Sequence, residues 1–245
     1  MKNRAILLSL AGIASLLSTS CGSEYSQRGV ASEVVAPSQV SDFNVLYNQN
    51  CAGCHGLGGR NGAAIQLADP VFLAITDDAT IRHVAAGGVR GTPMPAFAQF
   101  AGGPLTDKQI DLLVGGIRSW ANPALVAGVD LPSYAAKNEA DPERGAEVFQ
   151  SYCSSCHGPD GHGGRAGSIV DGSYLALVSN QELRMNVILG RPAVGAPDWR
   201  NDIPGRPLSE QQISDVVAWL AAQRPDIPGQ PYPMSVMNRN PGEIR

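Results

Sequence analysis

Four of the five cysteines fall in two short stretches, Cys51-Ala52-Gly53-Cys54-His55 and Cys153-Ser154-Ser155-Cys156-His157. On a helical turn, residues at i, i+3 and i+4 share one face. Both thiols and the imidazole of each stretch therefore point the same way. Cys-x-x-Cys-His is the pattern of covalent c-type haem attachment. In that chemistry Cys51 and Cys54, and likewise Cys153 and Cys156, form thioethers with haem vinyl groups while His55 and His157 ligate iron. The spacing thus predicts two covalently bound c-type haems in an electron carrier.

Other uses of these residues fit less well. A zinc site of two Cys pairs places them about 15 to 20 residues apart, whereas these are separated by about a hundred residues. A thioredoxin-like dithiol follows a buried strand in a βαβ pattern, and neither motif has one before it.

The rest of the chain is organised to position these two stretches. Its 245 residues suffice for two small domains, and 28 Gly with 18 Pro predict much loop and little sheet. Phe43, Leu46 and Tyr47 lead into Cys51 at helical spacing, as Val148 and Phe149 lead into Cys153 after Pro142 at a first helical position. Tyr47 and Phe149 are expected to pack in the two cores. Leu105-Thr106-Asp107-Lys108-Gln109-Ile110 repeats as Leu208-Ser209-Glu210-Gln211-Gln212-Ile213, an offset of 103 against 102 for the cysteine motifs. Both repeats are capping boxes opening amphipathic helices that end near Trp120 and Trp219.

The predicted division is 1–20 signal peptide, 21–41 tether, 42–122 first domain, 123–140 linker, 141–227 second domain and 228–245 extended Pro-rich tail. Residues 1–20 carry Lys2 and Arg4, an apolar run and small residues before Cys21, the layout of a secretory signal. The apolar run is too short to span a bilayer. Formal charge is −4 and becomes −6 without Lys2 and Arg4, which disfavours a nucleic-acid partner. Export to the periplasmic side of the cell membrane is the expected location.

The order helix, Cys-x-x-Cys-His-Gly, Gly/Pro-rich loop with a Met, and aromatic-bearing final helix resembles a tandem of class I cytochrome c domains. The resemblance covers Asp42 to about Arg224 and implies an all-α fold with three to five short helices around each haem. It also implies that Met94, in Gly91-Thr92-Pro93-Met94-Pro95-Ala96-Phe97, is the sixth iron ligand of the first haem. Ser20-Cys21-Gly22 resembles a bacterial lipobox, with Ser18 where Leu is usual, which implies a lipid anchor at Cys21.

The second half departs from the family pattern at the sixth ligand. Pairing Ile81-Arg82 with Leu183-Arg184 and Gly87 with Gly190 aligns Met94-Pro95 with Ala196-Pro197, and alanine cannot bind iron. Met185, Met234, Met237 and His162 are the in-chain candidates, beside an open or water-ligated haem or a ligand from another subunit. His83 receives no role.

The chain is similar to cytochrome subunits of bacterial respiratory or photosynthetic complexes, including alternative complex III. That implies redox protein partners in a membrane-bound complex and no catalysis by this chain. A di-haem peroxidase-like enzyme is the alternative, with Asp198, Arg191 and Arg200 as the polar residues near the second ligand loop.

Overall fold

The computed structural model describes residues 35–201, 203 and 205–225. Cys21, Met234 and Met237 lie outside the described residues, as do the signal segment, residues 21–34 of the expected tether and the whole of the expected tail. By contacts the chain divides after Gln39. Of the N-terminal unit, residues 35–39 are described and carry a 3-10 turn over Pro37–Gln39.

Within the larger unit the described residues form helices and turns, and their only β pairings are two isolated bridges. The first half contains α1 (Phe43–Asn50), α2 (Ala52–His55), α3 (Pro70–Ile75), α4 (Asp78–Gly87) and α5 (Asp107–Arg118). The second repeats the order as α6 (Pro142–Tyr152), α7 (Ser154–His157), α8 (Gly172–Leu177), α9 (Asn180–Leu189) and α10 (Glu210–Ala222).

Side-chain caps fix these helix starts. Asp69 and Asp171 accept from the first backbone amides of α3 and α8, and Asp77 and Ser179 do so for α4 and α9. Thr106 with Gln109 and Ser209 with Gln212 form complete capping boxes on α5 and α10. Each cap satisfies amides that the helix cannot, worth about 1 kcal/mol. The helix entering the second motif starts earlier than its counterpart, with Asp141 capping α6 and Pro142 at its first position.

In each half the first helix crosses the last where one of them has a glycine. A Cβ on Gly116 of α5 would lie 2.0 Å from the Phe43 ring of α1. One on Gly145 of α6 would lie 2.0 Å from the Asp215 carbonyl oxygen and 2.8 Å from Trp219 Cβ of α10. The second pair inverts the first: Gly145 occupies Phe43's place and Trp219 that of Gly116. Tyr47 stands edge-on to Trp120 at 5.0 Å between centroids, and Phe149 stacks on Trp219 at 4.2 Å.

One hydrophobic core runs through both halves, from Leu46, Tyr47 and Phe72 to Phe149, Met185 and Trp199. A second cluster of Val170, Leu175, Leu183, Val217 and Leu220 sits wholly in the second half. Helix α3 packs against α9. The connection between the halves is mostly irregular, but Val126, Val129, Leu131 and Tyr134 pack on the shared core. Arg184 holds it in place, donating to the Ser133 and Tyr134 carbonyls and pairing with Glu210 while its own side chain is 3% exposed. Among the described residues no helix is long and apolar enough to cross a membrane.

Candidate haem-attachment sites

The two cysteine motifs have the same local geometry. Cys51 and Cys153 each follow a helix, with their N–H groups bonded to the Tyr47 and Phe149 carbonyls, and each opens a one-turn helix ending in the motif histidine. Gly56 and Gly158 then turn the chain at φ of 79° and 81°. A Cβ on Gly62 would lie 2.2 Å from the Cys54 carbonyl oxygen, and one on Gly164 would lie 2.4 Å from that of Cys156. Both loops therefore fold back onto their motifs through contacts that require glycine.

The same loops orient the imidazoles. His55 Nδ1 lies 2.7 Å from the Ile65 carbonyl oxygen, and His157 Nδ1 lies 3.0 Å from that of Gly167. A carbonyl only accepts, so each Nδ1 carries the proton and each Nε2 keeps its lone pair for a metal. Burial pushes the His55 pKa down, partly offset by the Ile65 hydrogen bond, and favours the neutral imidazole that ligation needs.

The thiols are less uniform. Burial and the neighbouring motif thiol push Cys51 and Cys153 up to about 11, so both are protonated at neutral pH. Cys54 is exposed, whereas Cys156 receives the Arg165 guanidinium at 3.0 Å. Among the described residues no group of three or more His, Cys, Asp or Glu is placed to hold a bare metal ion. Two thiols and one oriented imidazole per site fit a porphyrin carrying its own iron.

Backbone bonding puts the two ligand loops in register. Val89 N–H donates to the Met94 carbonyl at 3.0 Å, and Arg191 N–H donates to the Ala196 carbonyl at 2.9 Å. Leu105 N–H reaches Phe97, and Leu208 N–H reaches Trp199, both at 2.8 Å. The glycine matching Gly190 is Gly88 rather than Gly87: Gly88 and Gly190 have φ of 68° and 60° and cap α4 and α9. This moves the expected pairing by one residue and leaves Ala196 opposite Met94. The expectation failed because adjacent glycines are indistinguishable until one must adopt a positive φ.

The other candidate ligands are scattered. Met94 is half-buried in its loop, held by its N–H to Thr92 Oγ1. Met185 has no exposed surface and is enclosed by the core, so protein atoms already surround its sulfur. His162 and His83 are exposed. Asp198 pairs with Arg200, while Arg191 reaches across to Gly62 of the first half at 2.8 Å. The carbonyls of Ile65 and Gly167 escaped sequence reading because any residue supplies a carbonyl.

Comparison with known proteins is consistent with this geometry. The model of the family "Cytochrome C oxidase, cbb3-type, subunit III" matches residues 38–115 and 140–220. The chain is 29% identical over 160 residues to the cbb3-type cytochrome c oxidase subunit FixP of Sinorhizobium medicae (strain WSM419), covering 58% of this chain and 50% of that protein. It is 33% identical over 132 residues to subunit CcoP of Azospirillum sp. (strain B510), covering 50% and 40%. It is also 26% identical over 152 residues to thiosulfate dehydrogenase of Stutzerimonas stutzeri (strain A1501), covering 59% and 48%. The chain spans about half the length of the curated relatives it matches. Because the family match covers both motif-bearing halves, the chain belongs to the cbb3-type cytochrome c oxidase subunit III family and is a c-type cytochrome with two covalently bound haems.

Proposed function

We propose that this chain relays single electrons outside the cytoplasmic membrane, as a subunit or partner of a membrane-bound respiratory or photosynthetic complex. Cys51 and Cys54 bind one haem and Cys153 and Cys156 the other, with His55 and His157 as iron ligands through Nε2. Each bound haem supplies a one-electron ferric/ferrous couple. The matching Nδ1–carbonyl clamps on His55 and His157 carry this reading, since they fix both imidazoles in the ligating tautomer.

Met94 supplies the sixth ligand of the first site. A thioether favours ferrous iron and raises the reduction potential. Its loop is braced by Val89 N–H on the Met94 carbonyl, by Thr92 Oγ1 on the Met94 N–H and by prolines on both sides. These contacts fix the backbone that carries the thioether, without a helix behind it.

The division into domains at 42–122 and 141–227, joined by 123–140, follows the repeat of five helices. Removal of residues 1–20, lipidation at Cys21 and a tether to residue 41 would place both sites at the periplasmic face, with 228–245 as an extended tail. The names of the oxidase relatives favour a complex in a respiratory chain.

Potentiometric titration of the full-length protein tests the reading. Two one-electron transitions are expected, and Met94→Ala should lower the upper one while leaving the other in place. A Met94→Ala protein with both transitions unmoved would remove Met94 from the site.

A further inference from the structure

The two ligand loops share a frame but not its lining. At the offset of 102, Phe72, Val84 and Met94 of the first half correspond to Tyr174, Asn186 and Ala196 of the second. The register rests on structure: Asp69 and Asp171 cap α3 and α8, Asp77 and Ser179 cap α4 and α9, and Gly88 and Gly190 end α4 and α9. Three apolar side chains, one of them the thioether, are thus replaced by a phenol, a carboxamide and a methyl group.

The polar replacements are joined to each other, on the two helices that lead to the altered loop. Asn186 Nδ2 donates to Tyr174 Oη at 3.3 Å, and both residues are partly buried. The Asn186 carbonyl accepts from Gly190 N–H at 3.0 Å. Gly190 packs so closely on the next strand of the loop that a Cβ would lie 2.2 Å from the Pro197 carbonyl oxygen. Arg191 N–H and carbonyl both bond Ala196, at 2.9 and 3.2 Å. Asn186, one helical turn before Gly190, is thus linked through the backbone of Gly190 and Arg191 to Ala196. Because the Tyr174 oxygen accepts from Asn186, its hydroxyl proton can be donated to another acceptor.

We propose that the second site takes a small exogenous Lewis base opposite His157, at the position of Ala196, with Tyr174 donating a hydrogen bond to it and Asn186 holding Tyr174. This rests on the reading of His157 as an iron ligand. Suitable ligands are diatomic or triatomic anions that bind ferric iron end-on and accept a hydrogen bond, and cyanide is the probe. At these three positions the second half has a smaller side chain and two polar ones where the first half is apolar.

The test is cyanide titration of the ferric full-length protein, followed by absorbance and EPR. One haem of the two should begin high-spin and become low-spin on binding. Ala196→Met should make that haem low-spin without cyanide and abolish binding, and Tyr174→Phe should weaken binding about tenfold. Two low-spin haems indifferent to cyanide would overturn the proposal. So would a site that opens only in the Met234→Ala/Met237→Ala double variant, since the ligand then comes from the tail. Cyanide binding unchanged in Tyr174→Phe would remove Tyr174 and Asn186 from the site. A pyridine haemochrome count on the same samples separates these outcomes from failure of the attachment reading, which would show fewer than two haems per chain.

Discussion

Arg191 Nη2 donates to the Gly62 carbonyl at 2.8 Å, joining residues 129 positions apart. Gly62 packs on the backbone of Cys54 and His55, and Arg191 flanks Ala196. The ligand loop of the second half is thus bound to the motif loop of the first. The contact ties the two halves together beside the first motif. Arg191→Ala should cost about 1 kcal/mol of stability and slow electron exchange between the haems several-fold, measured by transient absorbance after photoreduction. The haem count should not change.

The helix crossing at Gly145 leaves no room for a side chain. A Cβ there meets the backbone oxygen of Asp215, which cannot rotate away, whereas one on Gly116 meets the Phe43 ring, which can tilt. Gly145→Ala should therefore destabilise the protein by about 1 to 3 kcal/mol and Gly116→Ala by less, as read from denaturant midpoints.

Arg184 and Glu210 form a pair in which the guanidinium is buried under the connection between the halves. Arg184→Ala leaves Glu210 and the Ser133 and Tyr134 carbonyls without their shared donor. A loss of about 3 kcal/mol is expected, together with faster proteolysis between residues 123 and 140. In the first half the matching Arg82 pairs with Asp107 and Asp111 at the surface. Arg82→Ala should cost far less than Arg184→Ala, as read from denaturant midpoints.

Asp215 gives the fold an acid sensitivity. Burial raises its pKa, but hydrogen bonds from Arg144, the Asp141 amide and Gln211 outweigh burial and hold it below the ordinary carboxylate value. A depressed folded pKa stabilises fully above the unfolded value, and that contribution disappears as pH falls through the folded value. Stability should therefore fall below about pH 4 with a shallower slope in Asp215→Asn, compared by denaturation across pH 2.5 to 6.

Several of these features could be read in the sequence. Thr106 with Gln109 and Ser209 with Gln212 announced two helix starts, because a capping box is local chemistry. The loss of the thioether at Ala196 was visible for a similar reason: a repeat aligns itself. Gly88 was mistaken for its neighbour because a positive φ leaves no mark in composition. The Gly145–Trp219 inversion and the Arg191–Gly62 bond depend on packing between distant segments. Tyr174 and Asn186 became meaningful only when the caps set them at the repeat positions held by Phe72 and Val84 in the first half.

The binding of one haem by each of two equivalent motifs has a countable consequence. It is tested most directly by mass spectrometry and a pyridine haemochrome count of full-length protein matured with haem, beside the Cys51→Ala/Cys54→Ala and Cys153→Ala/Cys156→Ala pair variants. Two haems are expected on the parent chain and one on each pair variant. Two haems retained on either variant, or fewer than two on the parent, would contradict it.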